Sequence, residues 1–436
     1  MTYRRGQRVR PKLYIKAIPI VLSLIIGLVI GVAVSNLVRS RHIAFVSLQT
    51  EGSENNQVSK VAVTAKHLKK GPSFTPSASQ AEKTQAQQSL AVSSSCGMLP
   101  PKQANLATAV SPELRKLAQY EQLCGGALAD RSAFFVPTPT TVTEAQQYAG
   151  EVAITLKEYA KFDITPLVYM EPDTADGVNL DLGKYQAGAY NAALDAYFAT
   201  LKSNGITNSM MGTWVLIPEG NIPGWGSVNP VTFAADVTIT AHSQKKYFPE
   251  SKSTILLDSE SYPSASSWSN GTYSSLVPYV QSIPKGLINS FGLEGFPWAP
   301  PANQQGPLQY DPKVYLRIDL AAQAARALDV KSIWLNTGTF HQMYAGNAAE
   351  TVTMTPGQRQ TILSGVIAQA VALKQQGFTV AVHLFAQNKA NTSEGTDWSY
   401  WQTNPGDTAD TDVLMTFVRD LHAANVSLWL FDTYDQ

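Results

Sequence analysis

The chain has 436 residues, with 33 acidic and 33 basic side chains and a charged content of 15%. This balance offers no basic footprint for a nucleic acid, so nucleic-acid binding is excluded as a function class. The 2 cysteines occur without any Cys-x-x-Cys or Cys/His cluster, which argues against a cysteine zinc site.

The first predicted element is a membrane-spanning helix. Residues 17–38 are apolar throughout and uncharged, which is long enough to cross the hydrocarbon core. More basic residues precede this segment than follow it, so residues 1–16 are expected to be a cytoplasmic tail, with the C-terminal domain extracellular. The alternative is a cleaved signal peptide, whose apolar stretch is usually about 7–15 residues. The sequence favours a single-pass anchor in the cell membrane.

Residues 39–95 are predicted to be a flexible linker, because most of this stretch is rich in Ser, Gln, Thr, Ala and Lys. Such a composition buries too little apolar surface to offset the entropy of ordering the chain. Cys96 and Cys124 border the globular part that follows. If this part lies outside the cytoplasm, they could form one disulfide; the alternative is two unrelated thiols.

Eight apolar runs follow, separated for the most part by segments with helical periodicity. They are residues 134–141, 166–173, 213–220, 254–261, 289–296, 332–339, 378–387 and 426–435. Nearly continuous apolar runs are typical of parallel strands that are covered on both faces. We therefore predict a (β/α)8 TIM barrel over residues 96–436, with an open doubly wound sheet as the alternative.

The order of the predicted elements is unusual for such a barrel. The domain opens with a helix at about residues 104–123 and closes on the run 426–435. A barrel in the usual order opens on a strand and closes on a helix. We expect a circularly permuted arrangement in which the last run lies beside the first.

Carboxylates and aromatic residues cluster at the ends of these runs, where barrel enzymes hold their working residues. The catalytic candidates are Glu219, Asp258, Glu260 and Glu294. The substrate-binding candidates are Glu171, Asn221, Trp225, Tyr262, Trp298, Trp334, Asn336 and His383. Paired carboxylates ringed by Trp and Tyr suit a sugar, and two carboxyl groups are the minimum apparatus of most glycosidases. The alternative is that some acids, Asp173 and Asp181 especially, only cap the following helices.

Several of these stretches resemble a known family. TWVLIPEGNIPGW at 213–225 resembles the acid/base region of clan A glycoside hydrolases, and INSFGLEGFPW at 288–298 resembles that clan's sixth strand. The resemblance covers about residues 210–390 and implies a (β/α)8 barrel. Glu219 matches the general acid/base, and Asn221 matches the second Asn of the clan's Asn-Glu-Pro-Asn motif.

The sequence departs from the clan where the nucleophile is expected. SIWLNTGTF at 332–340 resembles the seventh strand, but the nucleophilic Glu falls at Asn336 or Thr337, and neither is a carboxylate. Three interpretations stay open. Glu294 could act as base or nucleophile, Asp258 and Glu260 could form a chitinase-type pair in which a substrate amide attacks, or catalysis could be lost.

The sequence therefore predicts a membrane-anchored extracellular glycoside hydrolase acting on a polysaccharide or cell-envelope glycan. Glu219 would be the acid/base, Glu294 the partner carboxylate, and Trp225, Trp298 and Trp334 the sugar platform. No cofactor or metal is predicted. The alternatives are a non-catalytic carbohydrate-binding barrel at the cell surface, a pseudo-glycosidase, and an envelope structural protein.

Overall fold

The computed structural model describes most of the predicted domain. The described residues are 106–111, 114–115, 117–118, 129, 131–174, 179–222, 229–261, 271–296, 298–299, 309–310, 316–344, 351–386, 388–389, 396–397, 400 and 408–431. Among these residues, no helix has the length and apolar character needed to cross a bilayer. The predicted anchor at 17–38, the predicted linker and both cysteines lie outside the described residues.

Eight parallel strands close into a barrel. They are β1 (Arg131–Pro137), β2 (Thr165–Glu171), β3 (Thr213–Leu216), β4 (Lys252–Asp258), β5 (Ser290–Glu294), β6 (Ser332–Thr337), β7 (Thr379–Phe385) and β8 (Ser427–Phe431). Each strand pairs with the next one in the chain, and β8 pairs in parallel with β1. All eight predicted runs are therefore strands of one barrel, and the last lies beside the first, as the permuted order requires. The open doubly wound sheet is excluded.

Helices cover the outside of the barrel. They are α1 (Val142–Lys161), α2 (Leu182–Gln186), α3 (Asn191–Ser203), α4 (Pro230–Tyr247), α5 (Val277–Val280), α6 (Ile318–Leu328), α7 (Pro356–Gln375) and α8 (Thr408–Ala423). Single 3₁₀ turns occur at Leu106–Thr108 and Asn208–Met210. Neighbouring helices pack against each other, α1 with α3, α3 with α4 and α7 with α8.

Local sequence sets where several of these helices begin. Thr141 accepts from the backbone of Glu144 in a capping box at α1, and Asn229 caps α4 ahead of a proline at the first helical position. Asp181 accepts from the backbone N–H of Lys184 at the start of α2. For Asp181, the prediction of a helix cap is confirmed.

Short antiparallel strands lie in the connections that leave the carboxyl ends of the barrel strands. Glu260–Ser261 pairs with Gly271–Thr272 after β4, and Trp298–Ala299 pairs with Gln309–Tyr310 after β5. A four-stranded sheet joins the connections after β6 and β7. Its strands are Gln342–Tyr344, Thr351–Thr353, Asn388–Lys389 and Thr396–Asp397.

The barrel interior has its own small core, separate from the large core between the strands and the helices. Its buried members are Ala133, Leu167, Tyr169, Val215, Leu256, Trp334, Ala381 and Trp429. β5 contributes Gly292, where a Cβ would come within 2.4 Å of the Trp334 indole. The glycine makes room for the tryptophan, and together these side chains fill the barrel below its carboxyl end.

Candidate active site

The strand register brings four polar residues side by side across the carboxyl end of the barrel. Asp258 of β4 lies opposite Glu294 of β5, which in turn lies opposite Asn336 of β6. Asn336 lies opposite His383 of β7. Side chains alternate along a strand, so residues two positions beyond the interior core also face inward. All four are at least 96% buried, with exposures of 3%, 4%, 4% and 1% respectively.

A tight turn after β3 delivers Glu219 to the same place. Ile217 and Glu219 have φ values of 50° and 53°, a left-handed conformation that is costly for residues other than glycine. The backbone N–H of Glu219 donates to the Leu256 carbonyl over 2.9 Å, and a Cβ at Gly220 would lie 2.5 Å from Phe233. Pro218 and Gly220, where the clan A motif has Asn and Pro, belong to this strained turn, which holds Glu219 over the barrel mouth.

The carboxyl groups of Glu219 and Glu294 lie close enough to interact directly. Burial raises the pKa of Glu294 well above its ordinary value, and the nearby carboxyl groups of Glu219 and Asp258 raise it further. Neighbouring carboxyl groups cannot both carry a negative charge at little cost, so Glu294 keeps its proton to higher pH than an isolated glutamate. The structure thus brings together three of the four predicted catalytic residues.

A chain of hydrogen bonds approaches Glu294 from the opposite side. The Asn336 amide nitrogen donates to the Glu294 carboxyl group, and the Asn336 carbonyl lies 2.7 Å from Nδ1 of His383. The Tyr169 hydroxyl lies 3.0 Å from the same histidine nitrogen. Burial lowers the pKa of His383 to about 3, so the imidazole is neutral. Asn336 and His383 therefore support Glu294 rather than project toward solvent.

Two substrate-binding predictions are corrected by the structure. The Asn221 side chain donates to the Asp258 carbonyl over 2.9 Å and accepts from the Asp258 backbone N–H over 3.0 Å. Its amide therefore acts as a backbone partner that extends the ladder beside β4. Trp334 has no exposed surface, and its indole N–H donates to Thr254 over 2.8 Å. It forms part of the floor under the carboxyl pair and offers no face for a sugar.

The remaining predicted residues are placed less completely. Glu171 is half-buried at the end of β2 and is close enough to raise the pKa of Tyr169. The backbones of Glu260 and Trp298 lie in the short strands after β4 and β5, but their side chains lie outside the described residues, as do Trp225 and Tyr262 altogether. Their roles stay predictions. Within the described residues, no group of three His, Cys, Asp or Glu side chains is arranged to hold a metal.

The structure adds aromatic residues that the sequence analysis did not select. Tyr169 is buried beside Trp334 and His383, with ring centroids 6.3 and 5.7 Å away. Phe135 and Phe385 are half-buried on top of the interior core, at the ends of β1 and β7. Tyr169 and Phe385 each lie two residues from a selected polar residue on the same strand. That two-residue spacing is the signal that could have found them.

No family model and no curated protein matches the chain. Among solved structures, a family 1 β-glucosidase from Thermotoga maritima is similar at 10% identity and a TM-score of 0.45, covering 72% of this chain and 86% of that one. The same enzyme in complex with castanospermine is similar at 11% identity and a TM-score of 0.44, with the same coverage.

Proposed function

We propose that this protein is an O-glycosyl hydrolase that uses Glu219 and Glu294 as its acid/base pair. The observation that carries the proposal is the proximity of these two carboxyl groups at the carboxyl end of a closed parallel barrel, where the turn after β3 is bonded to β4 and β4 pairs with the strand that ends at Glu294. Barrel enzymes place their chemistry at this end, and most glycosidases need two carboxyl groups that differ in protonation. The buried pair supplies both forms, because one proton is shared between them.

The pair can perform the hydrolysis with a complete proton balance. One carboxylic acid donates its proton to the leaving oxygen as the bond from the anomeric carbon to that oxygen breaks. A water oxygen bonds to the anomeric carbon, and the proton that this water loses passes to the partner carboxylate. Proton exchange within the pair then restores the starting state. The carboxylate also stabilises the positive charge that develops on the sugar ring.

The separation of the two carboxyl groups determines the stereochemical outcome of hydrolysis. Retaining enzymes separate the two groups by about 5–5.5 Å and inverting enzymes by roughly 6.5–9.5 Å. Two carboxyl groups in direct contact are closer than either separation, so we expect a bound sugar to move them apart. The turn that carries Glu219, rather than β5, is the element expected to move.

Aromatic side chains around the pair support a carbohydrate substrate. Phe135, Phe385 and Phe296 are half-buried near the mouth, and the last two rings are 5.9 Å apart in an edge-on arrangement. Half-exposed rings suit the C–H faces of a sugar, while the carboxyl groups suit its hydroxyls. Asn336 does not supply a nucleophile, because its amide is committed to Glu294 and His383.

The test is hydrolysis of a panel of aryl glycosides and envelope polysaccharides by the purified protein. Turnover is expected on at least one glycan, with Glu219→Gln and Glu294→Gln each lowering it by about 10²–10⁴-fold. Glu250→Gln is the matched control, since Glu250 is an exposed surface residue and its removal should leave the rate unchanged. Binding without turnover would favour the pseudo-glycosidase. Full activity of Glu219→Gln would remove Glu219 from the mechanism.

We also propose an extracellular location, supported only by the apolar segment 17–38 and its basic flank. Protease treatment of intact cells that express a C-terminally tagged chain tests this placement. The tagged domain should be digested without lysis. Digestion that requires lysis would place the barrel inside the cell and leave the chemistry of the pair untouched.

A further inference from the structure

We propose that Glu294 is the proton donor of the pair and Glu219 the carboxylate, and that Tyr169, His383 and Asn336 position the donor. The inference rests on the proposed glycosidase function. It reverses the role that the clan A resemblance implies for Glu219. It also gives Asn336, which stands where that clan has a nucleophile, a function of its own.

The unequal burial of the two carboxyl groups is the first argument. Glu294 is 4% exposed at the end of a barrel strand, whereas Glu219 is half-buried on a turn. A negative charge costs more free energy at the more buried position, so the shared proton belongs on Glu294. None of the ion pairs in the described part of the chain involves Glu294, so none of the described cations stabilises its ionised form.

The groups that face Glu294 act in the same direction. Glu219 and Asp258 lie beside it as carboxyl groups, and both raise the pKa of Glu294. Across the barrel, burial raises the pKa of the Tyr169 hydroxyl, and the nearby Glu294, Glu219 and Glu171 raise it further, so the hydroxyl stays neutral. The hydrogen bond from Asn336 lowers the pKa of Glu294, but burial outweighs it.

The direction of the hydrogen bonds is the second argument. Because the Asn336 amide nitrogen donates to Oε2 of Glu294, the other amide atom is a carbonyl oxygen and must accept. The Nδ1 atom of the neutral His383, 2.7 Å away, therefore carries the imidazole proton. The Nδ1–H group of His383 holds the Asn336 amide in this orientation. The amide N–H group then makes Oε2 of Glu294 an acceptor, which leaves Oε1 to hold the acidic proton.

Tyr169 approaches the same histidine nitrogen from a different strand, and because Nδ1 carries the proton, the tyrosine oxygen can only accept a share of it. Its hydroxyl lies 3.0 Å from Nδ1 of His383, and its ring is packed edge-on against Trp334 and Phe135. The tyrosine therefore limits rotation of the histidine ring. Tyr169, His383 and Asn336 are positioning residues, because they act on the substrate only through Glu294.

Leaving-group dependence identifies which glutamate donates the proton. The glycoside that the wild type hydrolyses best in the panel is prepared with a 2,4-dinitrophenyl and with a 4-methylphenyl aglycone. The dinitrophenolate leaves without protonation, so Glu294→Gln should lose about 10²-fold or more on the methylphenyl substrate and less than about 10-fold on the dinitrophenyl one. Glu219→Gln should lose heavily on both.

The opposite pattern, in which Glu219→Gln is rescued by the good leaving group and Glu294→Gln is not, overturns the assignment. Absence of turnover by the wild type on every glycoside would contradict the proposed function itself. The two failures are therefore distinguishable. Far-ultraviolet circular dichroism of each variant establishes that it is folded before its rates are compared.

The pH profile tests the positioning residues. Asn336→Ala removes a donor that favours ionised Glu294, so the alkaline limb of kcat/KM should move to higher pH. The isosteric Asn336→Asp should move it further, because it adds a like charge. In contrast, Tyr169→Phe should lower kcat about 5-fold with little change in KM. A uniform loss at every pH in both Asn336 variants would mean that Asn336 is only structural, and would overturn its role.

Discussion

Two regions of the molecule each bury a carboxyl group near a tyrosine. One is the barrel interior below the mouth, and the other is the outer helix layer around α4. Inside, Glu294 accepts a hydrogen bond from Asn336, and Glu219 and Tyr169 are close enough to interact with it electrostatically. Outside, Asp236 of α4 has no exposed surface, and neither of its side-chain oxygens has a hydrogen-bond partner among the described residues. Burial raises the pKa of the nearby Tyr185 of α2, and the Asp236 carboxyl group raises it further.

Burial raises the pKa of both carboxyl groups, that of Asp236 to about 8, and the neighbouring carboxyl groups raise that of Glu294 further. The difference lies in the partners. Glu294 has a second carboxyl group with which to exchange a proton and an oriented amide that selects one of its oxygens. Asp236 has neither. A raised pKa therefore does not by itself mark a catalytic acid, and we expect only the inner carboxyl group to affect turnover.

The two carboxyl groups should differ most in how much their substitution lowers the rate of hydrolysis. Glu294→Gln should lower hydrolysis of a substrate with a poor leaving group by about 10²–10⁴-fold, because the proton donor is lost. Asp236→Asn should change the rate less than about twofold. Steady-state kinetics on the panel substrate measures both. Equal losses in the two variants would mean that the outer carboxyl group is coupled to the site and would break the comparison.

Two glycine substitutions test how tightly the barrel interior and the outer helix layer are packed. Gly292→Ala places a Cβ 2.4 and 2.5 Å from two atoms of the Trp334 indole, which is held by its bond to Thr254. The free energy of unfolding should fall by about 3 kcal/mol. Gly150→Ala, within α1 and with no atom within 4 Å of the new Cβ, should raise it by about 0.5–1 kcal/mol. Urea denaturation measures both, and a neutral Gly292→Ala would show that the interior can relax.

The pH dependence of the free energy of unfolding distinguishes the effect of the charge on Asp236 from the effect of its side-chain shape. Its folded pKa is raised to about 8, so the stability associated with its neutral form is complete below about pH 3.9 and is lost as the pH rises toward 8. Asp236→Asn should make the slope of unfolding free energy with pH less negative by up to about 1.4 kcal/mol per unit between pH 5 and 7.

At pH 8 the Asp236→Asn variant should be more stable than the wild type by on the order of 2 kcal/mol, because it no longer ionises a buried carboxyl group. The buried amide still lacks partners, and this offsets part of the gain. Denaturation at several pH values measures both quantities. An unchanged slope would mean that Asp236 is ionised at little cost. Glu294→Gln is the parallel variant, and because its pKa is also raised, its slope should change with the same sign.

The two tyrosines are expected to show the smallest effects. Tyr185→Phe removes a hydroxyl that is hydrogen-bonded to Thr240 and should cost about 1 kcal/mol of stability without affecting the rate. Tyr169→Phe should cost a similar amount of stability and also slow turnover, because it loosens the histidine that orients Asn336. Thermal unfolding and kinetics of both variants make the comparison. Slower turnover in Tyr185→Phe alone would reverse the roles of the two regions.

Much of the fold was predictable, because its signals are local. Parallel strands covered on both faces appear as apolar runs, and helices as a 3–4 periodicity, so eight units and their permuted order follow from the sequence alone. The same continuous burial hides which residues of a run face inward. For this reason, Trp334 was assigned to a sugar platform although it lies in the floor, and Tyr169 was not selected.

The order and type of the elements and the presence of acids at strand ends can be read from local sequence, because these depend on neighbours along the chain. Three contacts depend instead on the folded chain: Glu219 lies beside Glu294, Asn221 is bonded to Asp258, and Asn336 links Glu294 to His383. The residues in these contacts are 37 (Asn221 and Asp258) to 75 (Glu219 and Glu294) positions apart in the sequence. They depend on strand register and on one strained turn, where a shift of one residue would reverse the face that each side chain presents.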